Sequence, residues 1–158
     1  MILPPPNNDF EWVDPQGGPA LVCRPLERVA HHVFTTKSWS LGSPSRTSAD
    51  PWGEIATAVD AKRVLRVHQI HGAEVVVHRV TRPAAPPADA DIIVSDDGGT
   101  AIAIQSADCV PLLLADVRTG VVAAAHAGWR GTARLELPRI LPPQNDRGPR
   151  CPSGSSTR

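Results

Sequence analysis

The stretch Val121–Gly131 reads VVAAAHAGWRG and indicates how the chain around it folds. Its first five residues are small or β-branched and apolar, which is typical of a buried strand. The strand ends at His126, and the chain then continues as Gly-Trp-Arg-Gly. Packing explains the apolar run, but it does not explain why the run ends on a histidine and is followed by two glycines that clear space.

A second apolar strand, Val110–Ala115 (VPLLLA), precedes this stretch and is joined to it by a short connection. The two strands are predicted to form an antiparallel hairpin. A four-residue loop is a common hairpin length and would pair Ala115 with Gly120. This register places Cys109 directly opposite His126, with Cβ atoms roughly 4.5–5.5 Å apart. A slip by one residue would put the two side chains on opposite faces.

A thiolate and an imidazole at this distance suit two kinds of chemistry. They can bind a metal, since zinc takes cysteine sulfur and histidine nitrogen, or they can form a nucleophile–base pair. The stretch HQIHG offers His68 and His71 as further ligands, in a turn between two apolar strands. One cysteine and two histidines with a fourth position left open are typical of a catalytic zinc site. The plainer alternatives are that Cys109 is a small buried apolar residue and that His126 is hydrogen-bonded to the backbone.

Composition restricts the class of protein and its partners. The chain has 158 residues, enough for one domain with a core, and its 16 basic and 16 acidic residues give no net charge. A neutral chain with 4% aromatic residues is not typical of proteins that bind a nucleic-acid polymer. Three widely spaced cysteines do not indicate a disulfide framework, and there is no signal peptide or apolar run of membrane length. We therefore expect a soluble cytoplasmic protein with no membrane partner, and the sequence indicates no particular oligomeric state.

The remaining strands and one helix are predicted from short segments. Phe10–Val13 and Ala20–Arg24 flank DPQGGP and are predicted to form a first hairpin. Asp50-Pro51 is a start signal for a helix over Trp52–Val59. Further strands are predicted at His32–Thr36, Val64–Val67, Val75–Val80, Asp91–Ser95 and Thr100–Gln105, and a loop at Ser38–Pro51.

Four motifs, taken in their order and spacing, resemble one known family: HQIHGAEV, ADADIIVSDD, SADCVPLLLADVRTG and AAAHAGWRG. Over about residues 33–133 the chain is similar to the polyphenol oxidase (laccase-domain) family, also described as purine nucleoside phosphorylases. The resemblance implies an α/β (α+β) fold, a layered α/β/β/α sandwich with mixed sheets. It also implies a metal centre on His71, Cys109 and His126, which leaves His68 out. Zinc is the implied cofactor, with copper as the alternative ion.

The same resemblance implies an activity and its substrates. It implies phosphorolysis of adenosine, inosine and methylthioadenosine to a free base and a ribose 1-phosphate, so the partners are purine nucleosides and phosphate. Adenosine deamination and copper-dependent phenol oxidation are also attached to the family. However, the zinc deaminase signature H-x-E…P-C-x-x-C is absent, and six histidines are too few for a multicopper centre.

Three further residues are predicted to take part in the reaction. Arg130 and Lys37 are the cations expected to hold phosphate. Asp108, beside the cysteine, is expected to orient His71 or His126 as a hydrogen-bond acceptor or to move a proton.

The chain departs from the family pattern after the GWRG motif. Family members continue well beyond this point, whereas here a proline-rich segment follows. We therefore expect a partial family domain over residues 1–137, lacking much of its C-terminal half, and a disordered tail over Pro138–Arg158. A frameshift or a truncated gene model near Thr132–Leu137 would explain the change. Two alternatives stay open: a metal-free cysteine hydrolase that uses Cys109 and His126, and an inactive truncated fragment.

Overall fold

The computed structural model of the protein describes residues 3–39, 41, 50–81 and 87–134. Within these ranges the strands are β1 (Phe10–Val13), β2 (Ala20–Cys23), β3 (Phe34–Thr35), β4 (Arg63–Arg66), β5 (Val75–His78), β6 (Ile92–Ser95), β7 (Thr100–Ala103), β8 (Val110–Ala115) and β9 (Val122–Ala127). The helices are α1 (Arg24–Glu27), α2 (Pro51–Ala58) and α3 (Trp129–Arg134), with a 3-10 turn at Lys37–Trp39.

The strands form three sheets. β1-β2-β3 is a three-stranded sheet, β4-β7 is a parallel pair, and β5-β6-β9-β8 is a four-stranded sheet. In the last of these, β5 and β6 run parallel, whereas the β6–β9 and β9–β8 pairs are antiparallel. The mixed sheets of the expected α/β (α+β) class are therefore confirmed.

The first sheet packs over a buried tryptophan. β1 and β2 pair antiparallel, as predicted. Trp39 is fully buried, and its indole Nε1 donates to the carbonyl of Pro19 at 3.0 Å. Its ring lies against Gly17, where any Cβ would overlap it. The segment predicted to be a loop from Ser38 onward thus begins with a core residue, while residues 40 and 42–49 lie outside the described ranges.

The helix predicted after Asp50-Pro51 is present as α2. The Asp50 carboxylate accepts from the amide of Gly53 at 2.9 Å and caps the helix. Pro51 occupies the first turn, where a missing N–H removes no helical hydrogen bond. Ile55 is buried and joins Trp39 in the hydrophobic core, so the helix packs along β4.

The four-stranded sheet is buried at its centre and exposed at its flanks. Ile93 of β6 and Ala124 of β9 lie opposite each other and are fully buried. The flanking strands present exposed apolar side chains on the opposite face: Val75 and Val77 on β5, and Val110, Leu112 and Leu114 on β8. The two outer strands are therefore the least packed part of this sheet.

The β8–β9 hairpin forms, but its register differs from the predicted one. Ala115 pairs with Val122, so His126 lies opposite Pro111. The prediction that Cys109 lies directly opposite His126 is therefore wrong. A shift of two residues nevertheless preserves the face, because side chains along a strand alternate between faces. Cys109 stays on the side of the sheet that carries His126.

The turn that sets this register is built around Asp116. Its amide donates to the carbonyl of Val121 at 2.8 Å, and its own carbonyl accepts from the amide of Gly120 at 2.9 Å. Gly120 has a φ of 71°, which residues with a side chain rarely adopt. The Asp116 side chain also accepts from the amide of Arg118 and the hydroxyl of Thr119. These bonds lengthen the connection beyond the predicted four residues.

The tail predicted at Pro138–Arg158 lies outside the described residues, as do residues 135–137. The longest helix in the described ranges is α2, with eight residues. None of the helices there is long and apolar enough to cross a membrane.

Candidate metal centre

Three side chains from separate segments converge at one end of the four-stranded sheet. They are His71 in the loop between β4 and β5, Cys109 just before β8, and His126 near the end of β9. Their ligand atoms all lie within 4.8 Å of one another, and the two imidazole centroids are also 4.8 Å apart. The structure therefore brings together the three residues that the resemblance implied as ligands.

His126 is buried, and its ring is fixed by Asp91. Asp91 directly precedes β6, and the His126 amide donates to its carbonyl at 2.8 Å, next to the last paired residues of β6 and β9. His126 Nδ1 lies 2.8 Å from Oδ1 of Asp91, with both side chains almost fully buried. An ionised carboxylate only accepts hydrogen bonds, so Nδ1 is the donor in this contact, and in the neutral ring Nε2 is the nitrogen with the lone pair.

The same carboxylate organises the loop that carries His71. The amides of Ile70, His71 and Gly72 donate to Asp91 at 3.2, 3.0 and 2.7 Å. His71 has a φ of 57°, in the left-handed region, where a residue with a side chain is strained by about 1–2 kcal/mol. The three hydrogen bonds offset that strain. Burial raises the pKa of Asp91, but the bonds from His126 and these amides outweigh burial and hold the pKa below its ordinary value.

The segment that carries Cys109 is attached to the same loop. The Gln69 side chain pairs with the backbone of Gln105, donating to its carbonyl at 2.8 Å and accepting from its amide at 2.6 Å. The Ser106 hydroxyl donates to the carbonyl of Cys109 and closes the turn before β8. The HQIHG loop thus has two anchors, its backbone on Asp91 and its glutamine on the segment before Cys109.

Two glycines of HAGWRG leave room for the cluster. A Cβ on Gly128 would lie 3.3 Å from Cys109 Sγ and within 3.6 Å of both converging imidazoles, so this position forms the floor of the site. A Cβ on Gly131 would overlap the carbonyl oxygen of Gly72. The two glycines therefore let the chain pass closely beneath the cluster and the loop, which accounts for the ending of VVAAAHAGWRG.

The other histidine of HQIHG is not part of the cluster. His68 Nδ1 lies 2.8 Å from Oδ1 of Asp89, and these side chains are 74% and 70% exposed. A short parallel bridge between His68 and Asp89 ties this loop to the segment before β6. Of the two histidines that the pattern offered, the structure places His71 beside Cys109 and His126.

The cations predicted to bind phosphate lie on two different parts of the chain. Arg130 is exposed on α3, and its guanidinium carbon lies 5.2 Å from the centroid of the Trp129 ring, which is itself exposed. Lys37 is exposed at the start of the 3-10 turn after β3. Their roles stay predictions.

Asp91 is the residue of this site that the sequence pattern did not reveal. The pattern points to Asp108, which is exposed beside Cys109, whereas the acceptor on His126 is Asp91. The signal that could have identified Asp91 is its position directly before the apolar run IIV, which indicates that its side chain is buried. A buried carboxylate needs several hydrogen-bond donors, and those donors are then fixed around it. The predicted actions of Asp108 on His71 and in proton transfer stay predictions.

The donor set suits a tetrahedral ion such as zinc. Zinc binds imidazole nitrogen and thiolate sulfur with bonds of about 2.0–2.3 Å. At the tetrahedral angle two such bonds place their ligand atoms about 3.5 Å apart, so ligand atoms as far as 4.8 Å apart must approach each other by about 1 Å when an ion is held. Three protein ligands leave a fourth position for water or substrate, as in catalytic sites. Copper takes the same ligand types, so the donor set fits a metal ion but does not select one particular metal.

These features define a class of protein, a mixed α+β fold with a His/Cys/His cluster at one end of a mixed sheet. Residues 51–141 match the family described as multi-copper polyphenol oxidoreductase laccase, and the chain belongs to this family. The matched range contains all three converging residues. The family resemblance drawn from the four motifs is therefore confirmed.

Curated relatives carry a different name from the family description. The chain is 47% identical over 83 residues to a purine nucleoside phosphorylase of Streptomyces coelicolor, covering 52% of this chain and 34% of that protein. It is 32% identical over 136 residues to one of Synechocystis sp., covering 82% and 48%. For one of Deinococcus radiodurans the identity is 47% over 117 residues, covering 64% and 44%. The chain thus spans about half of the length of these relatives, or less.

The fold is also similar to a solved one. A crystal structure of a Neisseria meningitidis protein is 28% identical in sequence and superposes with a TM-score of 0.52. The similarity covers 80% of this chain and 53% of that one. The mixed α+β architecture is therefore found in an experimentally determined relative, of which this chain again spans about half.

Proposed function

We propose that the chain belongs to a zinc-dependent purine nucleoside phosphorylase that acts on adenosine, inosine and methylthioadenosine with phosphate. One observation carries the proposal: the ligand atoms of His71, Cys109 and His126 lie within 4.8 Å of one another. The relatives named purine nucleoside phosphorylase support the reaction class.

The ion would be held by His71, Cys109 and His126, with Nε2 as the ligand atom of His126 because Nδ1 is bonded to Asp91. When bound, zinc supplies a Lewis acid that polarises an oxygen and lowers the pKa of a bound water to about 7. The chain's own contribution is a fixed arrangement of donors, with space kept open at Gly128.

Phosphorolysis exchanges one bond at the anomeric carbon of ribose. A phosphate oxygen bonds to this carbon while its bond to the purine nitrogen breaks, and the electron pair leaves with the purine, which takes up a proton. Positive charge develops on the ribose and negative charge on the base. The reaction therefore needs electrostatic support and a proton donor more than a covalent nucleophile.

The proposed roles of the exposed residues follow from these needs. Arg130 and Lys37 hold phosphate, since a guanidinium binds phosphate oxygens in pairs and an ammonium neutralises their charge. Trp129 is 77% exposed beside Arg130 and offers a flat face to a purine. Asp108 is exposed beside Cys109, and moving the proton that the purine takes up is its proposed role.

Two alternative functions fit the three-residue cluster less well, because one needs more ligands and the other leaves one residue without a role. A multicopper oxidase needs more ligands than one three-residue cluster, and other histidines in the described ranges are hydrogen-bonded elsewhere, namely His32, His68 and His78. A metal-free cysteine hydrolase would use Cys109 as nucleophile and His126 as base, and it leaves His71 without a role. A metal centre uses all three side chains.

The test measures zinc per chain and hypoxanthine released from inosine. We expect about one zinc per chain and a release of hypoxanthine that depends on phosphate. Cys109→Ser should abolish both, because it removes the thiolate ligand. Cys23→Ser changes another partly buried free cysteine and should leave both unchanged.

Each alternative function predicts a different outcome of this test. Zinc retained in Cys109→Ser contradicts the ligand assignment. A zinc-free wild-type chain whose Cys109 is rapidly alkylated favours the cysteine hydrolase. Ammonia released from adenosine without consumption of phosphate favours deamination over phosphorolysis.

A further inference from the structure

We propose that Asp91 is a positioning residue for the metal centre and that it acts on two of the three ligands at once. It fixes the ring of His126 through the side chain and the loop of His71 through the backbone. This inference rests on the proposed metal centre, and it gives Asp91 a role beyond holding the fold together.

The hydrogen-bond donors to the Asp91 carboxylate come from the segments that carry His71 and His126. The side chain is fully buried, where an ionised carboxylate is stable only with several partners. Oδ1 accepts from His126 Nδ1 and the His71 amide, and Oδ2 accepts from the amides of Ile70 and Gly72. Among the described hydrogen bonds, all four donors to this carboxylate come from the two elements that carry the histidine ligands.

The first consequence concerns which nitrogen of His126 can bind an ion. A neutral imidazole carries one N–H, and the carboxylate 2.8 Å away draws it to Nδ1. Nε2 is then unprotonated and is the atom left for coordination. A proton on Nε2 would block this ligand. Asp91 therefore holds His126 in its metal-binding tautomer before any ion arrives.

The second consequence concerns where His71 is held. Its φ of 57° is maintained by three successive amides that converge on the carboxylate, so the loop cannot relax without breaking those bonds. The backbone of His71 is therefore held where its ring lies 4.8 Å, centroid to centroid, from that of His126. One carboxylate sets the mutual placement of two rings from distant segments.

Asp89 and His68 provide an internal contrast. Their nitrogen–oxygen distance is also 2.8 Å, and Asp89 precedes Asp91 by only two positions. Both side chains are mostly exposed, so water competes with the contact and it holds the ring weakly. Asp89→Asn therefore makes the same chemical change as Asp91→Asn at a pair that contributes no ligand.

The first experiment uses the metal-free wild-type chain with isotope-labelled histidine. A long-range proton–nitrogen NMR spectrum at about pH 8.5, where imidazole is ordinarily neutral, reports which nitrogen of each ring is protonated. The His126 signals are assigned by their loss in His126→Gln. We expect His126 to carry its proton on Nδ1. A proton on Nε2 overturns the proposal, and this measurement does not depend on whether any Asp91 variant folds.

The second experiment measures zinc affinity by competition with a chromophoric chelator. Asparagine has the shape of aspartate, but its NH2 group must face two of the four donors that aspartate accepts from. Either His126 Nδ1 and the His71 amide lose their acceptor, or the amides of Ile70 and Gly72 lose theirs. We expect Asp91→Asn to bind zinc about 10–100-fold more weakly than wild type and Asp89→Asn to bind it unchanged. Equal affinity in Asp91→Asn and wild type overturns the proposal.

The two proposals fail in different ways. A wild-type chain that binds no zinc overturns the proposed metal centre. The tautomer of His126 in that same metal-free chain still decides whether Asp91 orients the ring. A role in stability alone would lower the unfolding temperature of Asp91→Asn while the folded variant bound zinc as tightly as wild type does.

Discussion

Strand β6 runs between two buried histidine–aspartate pairs that differ in what surrounds them. Asp91, just before the strand, bonds His126, and Asp97, just after it, bonds His78. The two histidine side chains are almost equally buried, at 3% and 4% exposed. Each aspartate has a pKa below its ordinary value. The pairing and the burial of the ring are therefore alike at the two ends, although the Asp91 side chain is fully buried and that of Asp97 is 14% exposed.

The difference lies in the remaining neighbours. Hydrogen bonds from Thr100, Gly99 and His78, together with the charge of Arg63, hold the pKa of Asp97 well below its ordinary value. These partners connect the four-stranded sheet to the β4–β7 pair, and in the described part of the chain His78 joins no group of three metal-type ligands. At the other end, the donors to Asp91 come from the segments that carry His71 and His126. A buried histidine–aspartate pair becomes a candidate site only where the ring meets further ligands.

The largest predicted effect on zinc affinity and stability, and the largest difference between the two ends of β6, should come from replacing Gly131. Gly131→Ala places a methyl group onto the carbonyl oxygen of Gly72, so the loop of His71 must move. We expect zinc affinity to fall at least about tenfold and the free energy of unfolding to fall by about 1–3 kcal/mol. Chelator competition and urea unfolding measure the two effects.

Gly98→Ala is the matched control at the other end. A Cβ there meets nothing within 4 Å, so both quantities should stay close to wild type. Similar losses in the two variants would contradict the assignment of Gly131 to the site.

The second-largest effect should be a change in the pH dependence of stability when Asp97, at the other end of β6, is replaced. The pKa of Asp97 is lower in the folded chain than in the unfolded one, so its carboxylate stabilises the fold above about pH 4 and loses this effect as pH falls further. Asp97→Asn should therefore be less stable than wild type at neutral pH, with a difference that narrows in acid. Urea unfolding between about pH 7 and pH 2 measures it.

Zinc affinity at neutral pH serves as the second readout for Asp97→Asn and should not change. Stability curves that stay parallel across the pH range would contradict the role of the Asp97 carboxylate.

The smallest effect is expected at the exposed pair. His68→Gln should change the free energy of unfolding by less than about 0.5 kcal/mol, because water screens its contact with Asp89. Zinc per chain, measured by atomic absorption, should equal that of wild type. A loss of zinc would return His68 to the ligand set.

Local pattern predicts the strands that deliver the site. The apolar runs of VPLLLA and VVAAAHAGWRG predict β8 and β9, and Asp50-Pro51 predicts the start of α2. The register of the hairpin does not follow from loop length, because the hydrogen bonds of Asp116 and the positive φ of Gly120 lengthen the turn. Two residues of additional loop move His126 from Cys109 to Pro111 as its cross-strand partner.

The features that the local sequence pattern does not predict depend on contacts between residues that are distant in sequence. Asp91 directly precedes an apolar strand and carries no local mark of its function, since its donors lie about 20 and 35 positions away. Trp39 is buried against Gly17 and Pro19, and no hydrophobic periodicity in the sequence predicts this contact. The choice of His71 over His68 came from the family resemblance, and its physical basis is the backbone that Asp91 holds.

The wide separation of the three converging side chains in sequence has a consequence for the folding equilibrium. An ion coordinated by all of them would act as a cross-link that closes two long loops of the chain, and it would have no such site in the unfolded ensemble. Every tenfold excess of free ion over its dissociation constant would then add about 1.4 kcal/mol to the free energy of unfolding. The fraction of chains that survive heat or proteolysis would follow metal supply, even in the absence of any substrate.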